Sequence, residues 1–189
     1  DLDFKKSFDP VSISTEELKK ISSLKTPNNV LAVFKIPKPL ELLDSGLILV
    51  LDEINDPGNL GTIIRLCDWF GVDQLVCSLN TVDCYNAKVV QSSMGSLTRV
   101  SIVYTELESF LKITKLPKFA TLMNAKSVYE SELPNNAVLV MGNEANGINK
   151  RLLSLLDHSI SIPRFGKLQK TESLNVANAT AILLSEFRR

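Results

Sequence analysis

The sequence predicts an α/β protein: a parallel sheet with helices on both of its faces. From Leu47 onward, short apolar runs alternate with helical stretches, the order expected of such a sheet. The first run, Leu47-Ile48-Leu49-Val50-Leu51, is apolar throughout, as a strand buried on both faces requires. Three loops rich in Asn and Gly follow strands, which is where open α/β sheets bind ligands.

The chain opens with a helix predicted over Ser14 to Ser23, with Thr15, Glu16 and Glu17 at its start. A strand over Val30 to Lys35 follows Thr26-Pro27-Asn28-Asn29, and Ile36-Pro37-Lys38-Pro39 punctuates the chain. Residues 1–43 are too few to bury a core, so they read as the remnant of an N-terminal module with its linker, and 44–189 as the main domain. After the strand at Leu47 come a loop over Asn55 to Gly61 and a helix over Thr62 to Phe70, closed by Gly71. Further strands are predicted at Gln74 to Cys77, Arg99 to Val103, Phe119 to Met123, Ala137 to Met141 and Ser159 to Ile162. Helices are predicted at Tyr85 to Ser93, Thr105 to Thr114, Ile148 to Leu156 and Leu174 to Phe187.

Composition narrows the function classes. The chain has 189 residues, 44% of them hydrophobic, which suits one medium domain plus an appendage. No apolar run approaches the ~20 residues needed to cross a bilayer, so no membrane partner is expected. The polar start at Asp1 is unlike a signal peptide and reads as a processing boundary. Cys67, Cys77 and Cys84 show no paired metal spacing, so reduced thiols in the cytoplasm and no bound metal are expected. Net charge is zero, yet residues 44–146 carry 7 basic and 12 acidic groups while 147–189 carry 7 and 3. The C-terminal section is therefore the part suited to a phosphate partner.

The candidate site lies in the three loops. They are Asn55-Asp56-Pro57-Gly58-Asn59-Leu60-Gly61 with Arg65 beyond, Gly142-Asn143-Glu144-Ala145-Asn146-Gly147, and the segment through Ser173, Leu174 and Asn175 at the start of the last helix. None contains a G-x-G-x-x-G or Walker loop, and His158, the one histidine, forms no catalytic triad and reads as structural. Plainer roles exist for each residue: Asn59 can shape a turn, Glu144, Ser173 and Asn175 can cap helices, and the glycines can serve turns. Arg65 is harder to place, because a guanidinium buried in an apolar helix needs partners.

Taken in order, Asn59-x-Gly61-x-x-x-Arg65, Gly142-Asn143-Glu144-x-x-Gly147, and Ile162-Pro163 followed by Ser173-Leu174-Asn175-Val176-Ala177 resemble the three motifs of the SpoU (TrmH-like) branch of the SPOUT RNA methyltransferases. Ser92-Ser93-Met94-Gly95-Ser96 resembles a further family segment near the substrate, and Arg164 to Glu172 is longer than the family's compact loop. The resemblance implies a deep C-terminal trefoil knot, where sheet topology alone favours an unthreaded chain. It also implies a homodimer, bound S-adenosylmethionine, and methylation of a ribose 2'-hydroxyl in tRNA or rRNA.

By the same resemblance, Arg65 accepts the hydroxyl proton or clamps the target phosphate, and Asn59 orients Arg65 or the ribose. Glu144 holds Arg65 or Asn175, and Ser173 and Asn175 fix the nucleotide. Leu122, Gly142, Asn143, Gly147, Ile162, Leu174 and Ala177 line the cofactor. A guanidinium is ordinarily a poor base, since it stays protonated below a pH of about 12. Two rivals belong to other classes: a catalytically silent knotted RNA-binding subunit, and an ordinary Rossmann nucleotide enzyme, which the missing glycine fingerprint disfavours.

Overall fold

A computed structural model describes residues 10–38, 40–168 and 173–189. It divides into two compact units, Asp1–Lys38 and Pro39–Arg189. In the first, helix α1 spans Thr15–Ile21 and starts with a reciprocal cap: Ser14 Oγ accepts from the Glu17 N–H, and Glu17 accepts from the Ser14 N–H at 2.8 Å. The strand predicted at Val30 to Lys35 does not form. A strand needs a neighbour to take its hydrogen bonds and cover its apolar side chains, and Val30, Val33 and Phe34 are left exposed. The segment just after this unit is tied to the sheet instead. The Gln74 side chain accepts from the Leu43 N–H at 3.0 Å and donates to the Glu41 carbonyl at 2.8 Å.

Among its described residues the second unit holds six strands: β1 (Leu47–Leu51), β2 (Gln74–Ser78), β3 (Ile102–Thr105), β4 (Lys118–Ser127), β5 (Ala137–Met141) and β6 (His158–Ser161). They form one sheet in the order β3-β2-β1-β5-β4-β6, and every pairing is parallel. Among the described residues four α-helices lie between strands, α2 (Pro57–Phe70), α3 (Ala87–Ser92), α4 (Leu107–Ile113) and α5 (Lys150–Leu153), and α6 (Val176–Phe187) follows β6. Because side chains alternate along a strand, β1 splits between two cores. Leu47, Leu49 and Leu51 pack with residues of α2 and α6, while Ile48 and Val50 pack with residues of α4 and α5. Both faces are therefore covered, as the apolar runs predict.

Local differences from the sequence reading have local causes. Helix α2 begins at Pro57, inside the segment read as a loop, because Asp56 caps it and proline suits the first helical position. Strand β4 is longer than expected and carries an irregularity between Thr121 and Lys126, both of which pair with Ile160. Leu122 through Ala125 thus leave the ladder at its carboxyl end. Among the described residues, no helix is long and apolar enough to cross a membrane, and no group of three or more His, Cys, Asp or Glu is placed to hold a metal.

All three cysteines are buried and unpaired, and burial pushes the thiols of Cys67 and Cys77 well above the ordinary cysteine range. Alkylation needs the thiolate and access to it. At pH 8 the native protein is expected to leave Cys67 and Cys77 unmodified by iodoacetamide, while the urea-unfolded chain takes three labels by mass spectrometry. Rapid native labelling of either residue would contradict that burial.

Candidate active site

The first loop is a helix start. Asp56 Oδ1 accepts the Asn59 N–H at 2.8 Å, which puts Asn59 in the first turn of α2 and fixes where its side chain emerges. The third loop is also a helix start. Asn175 caps α6, its Oδ1 accepting from the N–H groups of Ala177 at 3.0 Å and Asn178 at 3.3 Å. The second loop follows β5 and closes on itself. Asn143 N–H donates to the Gly147 carbonyl at 3.1 Å, and Gly147 N–H returns to Asn143 at 2.8 Å.

The three meet through side chains. Asn59 Nδ2 donates to Glu144 Oε1 at 2.7 Å, and Asn175 Nδ2 donates to Asn59 Oδ1 at 2.9 Å. Donor and acceptor chemistry forces this direction. A carboxylate only accepts, so Asn59 must turn its amide nitrogen to Glu144 and its oxygen to Asn175. The oxygen of Asn175 is held by its own helix, which leaves its nitrogen for Asn59. Glu144 therefore reaches Asn175 through Asn59. Neither the expected bond from Glu144 to Arg65 nor that from Asn59 to Arg65 is present, because both side chains are committed to this chain of bonds.

That wiring predicts a compensation. Asn59→Asp sets two carboxylates 2.7 Å apart, breaks the link and lowers stability. Adding Glu144→Gln restores a donor opposite an acceptor. A double-mutant cycle in thermal melts at pH 8 should show a positive coupling of about 1 kcal/mol, within the range for touching residues. Strict additivity would mean that the two side chains do not meet.

Asn143 is occupied too. Its Oδ1 accepts from Ala145 N–H at 2.9 Å and Asn146 N–H at 3.2 Å, and its Nδ2 donates to the Glu53 carbonyl at 2.7 Å. Ala177 lies in the core with its N–H given to the cap, so its part in any site is packing. Leu122 lies at the irregularity within β4, Gly142 and Ile162 stand just past the ends of β5 and β6, the three strands are neighbours, and all three residues are partly buried. Leu174 is half-exposed and Ser173 exposed, immediately before α6.

Arg65 departs from expectation. It is exposed on the outer face of α2 and makes no hydrogen bond or ion pair with another described residue. It lines a hollow of about 500 Å³ with Thr62, Leu66, Asp68, Trp69 and Ser96. Leu60, Ile63, Ile64 and Cys67 of α2 turn inward, so the charge at 65 is left on the water side. His158 sits on the edge strand β6 with its ring 4.9 Å from that of Phe119 and takes no part in the cluster of loops.

Sequence reasoning missed three supports. Asp52, buried just after β1, accepts the Asn149 N–H at 2.7 Å and so anchors the far end of the second loop. Burial pushes its carboxyl above the usual range, and the Asn149 N–H offsets part of that. An acid directly after an apolar strand was the available signal. Glu53 holds the second loop through its carbonyl and has a left-handed backbone, φ 57°, that no sequence pattern announced. Ser92 Oγ donates to the Lys88 carbonyl of its own helix at 2.7 Å and lies 3.2 Å from the Pro57 carbonyl, which seats α3 against the first turn of α2. A Cβ on Gly61 would sit 1.9 Å from Ser92 Oγ, which explains a glycine there.

Comparison with known proteins gives these loops a context. The model of the SpoU rRNA Methylase family matches residues 46–185. The chain is 33% identical over 181 residues to the Bacillus subtilis 23S rRNA (guanosine(2553)-2'-O)-methyltransferase RlmP, covering 93% of this chain and 71% of that protein. It is 35% identical over 153 residues to the Neisseria meningitidis 23S rRNA (guanosine-2'-O-)-methyltransferase RlmB, covering 78% and 60%. Among solved structures, the Streptomyces viridochromogenes SpoU methyltransferase AviRb in complex with AdoMet superposes with a TM-score of 0.81 at 26% identity, over 94% of this chain and 71% of that one. AdoMet-bound rRNA methyltransferase from Sinorhizobium meliloti gives 0.71 at 30% identity, over 77% and 57%. The chain thus spans 57% to 71% of the length of these relatives.

Proposed function

Because this chain belongs to the SpoU rRNA methylase family, we propose that it moves a methyl group from S-adenosylmethionine to a ribose 2'-hydroxyl of rRNA or tRNA. The observation that carries this reading is the Glu144–Asn59–Asn175 chain of hydrogen bonds. It joins residues 85 and 116 positions apart in sequence at the mouths of three loops. A structural cap needs no such convergence, since Asn175 already caps α6 through its oxygen alone.

The residues at the strand ends suit the cofactor. Leu122, Ile162 and the half-exposed Leu174 offer apolar surface for an adenine, and Gly142, Asn143 and Gly147 shape the loop beside it. The cofactor supplies an electrophilic methyl carbon on a sulfonium. The protein's task is to align the ribose oxygen with that carbon and to stabilise the oxygen as its proton leaves. Ser173 and the spare amide hydrogen of Asn175 orient the hydroxyl, while Glu144 fixes Asn59 and through it Asn175. Arg65 is exposed and uncommitted, and a guanidinium is cationic in proteins, so its role here is to clamp the phosphate of the target nucleotide.

Three finer features belong to the same reading. β6 is the outer strand of the sheet, yet α6 packs on α2 and Asn175 bonds Asn59, which supports a deep trefoil knot in the C-terminal section; residues 169–172 between them lie outside the described residues. Arg65 is exposed and bonds to no member of the relay, which supports a homodimer in which two subunits complete one site. Reduced, buried thiols and an rRNA substrate fit the cytoplasm.

The test pairs isothermal calorimetry of S-adenosylmethionine binding with transfer of a labelled methyl to unmodified 23S rRNA and tRNA transcripts. Binding with ribose methylation is the expected result. Binding without transfer to either RNA would favour a silent RNA-binding subunit, and no binding would remove the reading altogether.

A further inference from the structure

We propose that Glu53 is a positioning residue for methyl transfer, and that it acts through its left-handed backbone, which pins the loop carrying Glu144; this rests on the methyltransferase reading above. Apart from glycines, Glu53 and Met94 are the described residues with a positive φ, at 57° and 50°. Such a conformation costs a residue with a side chain free energy and persists only where its surroundings hold it. Glu53 is held from three sides. Its N–H donates to Ser78 Oγ at 2.9 Å, its carbonyl accepts from Asn143 Nδ2 at 2.7 Å, and its carboxylate accepts from Asn80 Nδ2 at 3.0 Å.

The conformation has a geometric use. In an extended strand the N–H and C=O of one residue point to the same neighbour. Sheet order places β2 on one side of β1 and β5 on the other. The left-handed turn sends the Glu53 N–H to Ser78, the last residue of β2, and its carbonyl to Asn143, just past β5. One residue thereby ties together loops on opposite sides of β1. Between β1 and β5 the strand order reverses, and open α/β sheets ordinarily seat a ligand in the crevice at such a point. Here the Glu53–Asn143 bond spans the two strand ends, so the crevice serves as a brace for the second loop.

The brace reaches the hydrogen-bonded relay through one side chain. Asn143 Oδ1 accepts from the N–H groups of Ala145 and Asn146, and this turn presents Glu144 to Asn59. Asp52 fixes the base of the same loop, its N–H on the Met141 carbonyl at 2.9 Å and its carboxylate on the Asn149 N–H at 2.7 Å. Glu144 to Gly147 are exposed and have no packed core to place them, so hydrogen bonds from Asn143 do so. Turning the Glu53 carbonyl away frees the Asn143 side chain, and Glu144 loses its fixed approach to Asn59.

Three variants separate backbone from side chain. Glycine adopts a positive φ freely, asparagine tolerates it, and a β-branched residue is an outlier there. Glu53→Gly and Glu53→Asn should keep single-turnover methyl transfer, at saturating S-adenosylmethionine and RNA, within about threefold of wild type although neither retains the carboxylate. Glu53→Val should lower it about tenfold, because small misplacements passed to the reacting groups cost rate steeply. It should also speed amide exchange of residues 143–147, read by mass spectrometry, at a temperature where melts show the variant folded; a merely structural role would slow transfer only as the folded fraction falls. Asn143→Asp keeps the oxygen that faces Ala145 and Asn146 but loses the donor to Glu53, so it should reproduce both changes even where Glu53→Val does not fold. Wild-type transfer and exchange in Glu53→Val, or in Asn143→Asp, would overturn the proposal and leave the methyltransferase reading standing. Slow transfer in Glu53→Gly would assign the role to the carboxylate and overturn it too. A wild-type protein that transfers no methyl would sink the methyltransferase reading and with it the role in transfer, while the exchange difference would still report the brace.

Discussion

Arg65→Ala should lower single-turnover methyl transfer by about 10²-fold, the scale of misplacing the reacting ribose when the clamp on its phosphate is lost. The Kd for S-adenosylmethionine should stay within a few fold. The separation follows from the fold. Arg65 stands on the exposed face of α2, in a hollow with Thr62 and Trp69, while the residues proposed for the cofactor stand at the irregularity within β4 and just past β5 and β6. Removing the side chain also leaves the core intact, since no described residue bonds to it. Arg65→Lys then separates two roles. A phosphate clamp keeps part of its strength with a point charge in place of a fork, so Lys should recover RNA binding and some rate. A proton acceptor at this position would instead give a rate that rises with pH to a new plateau in the Lys variant. A variant Arg65→Ala with near wild-type turnover would show that the side chain has neither role.

What the sequence made legible, and what it hid, follows from the range of the forces involved. β1 and β5 were read to the residue, Leu47–Leu51 and Ala137–Met141, because burial on both faces leaves an unbroken apolar run. Val30 to Lys35 has the same kind of composition and forms no strand. Composition states a preference, and a strand also needs a partner that sequence does not name. The sequence places the start of α2 too late because Asn, Asp, Pro and Gly are common in loops, whereas Asp followed by Pro is also a cap and a first helical position.

Site residues divide in the same way. The motif residues Asn59, Glu144 and Asn175 were chosen from their order along the chain, and they do meet. Their wiring was not legible, because which of two amide atoms faces which neighbour is settled only when every donor and acceptor around them is placed. Arg65 was expected to be buried from the apolar letters around it. Helical phase decides that, and residue 65 falls on the outer face between Ile64 and Leu66. Asp52 and Glu53 escape notice because Asp52 accepts the backbone N–H of Asn149 and the Glu53 carbonyl accepts the side-chain amide of Asn143, roughly ninety positions away.

Gly142→Ala should be the most damaging single methyl group that can be added near the site. A Cβ there would lie 2.3 Å from both the Gly147 carbonyl carbon and the Ile148 nitrogen, and 2.7 Å from the Gly147 oxygen. All three are backbone atoms, so no side chain can swing aside. The loop must open, and opening it breaks the paired bonds between Asn143 and Gly147 and moves Glu144 away from Asn59. Overpacking of this kind costs about 3 kcal/mol. In a chain of this size that corresponds to roughly 6 to 12 °C in Tm. Gly61→Ala makes the contrast. Its new Cβ would meet Ser92 Oγ at 1.9 Å and Ser92 Cβ at 2.7 Å, with backbone no nearer than 3.0 Å. Part of that clash belongs to a hydroxyl, so Ser92→Ala should relieve some of the loss at Gly61 and none at Gly142. Thermal melts of the two single variants and of each combined with Ser92→Ala, with S-adenosylmethionine affinity measured on the same samples, decide the matter. The expected order is a loss of cofactor affinity beyond tenfold for Gly142→Ala and a smaller, partly rescued loss of stability for Gly61→Ala. Wild-type affinity and Tm in Gly142→Ala would mean that the second loop adapts freely and does not hold Glu144 in place.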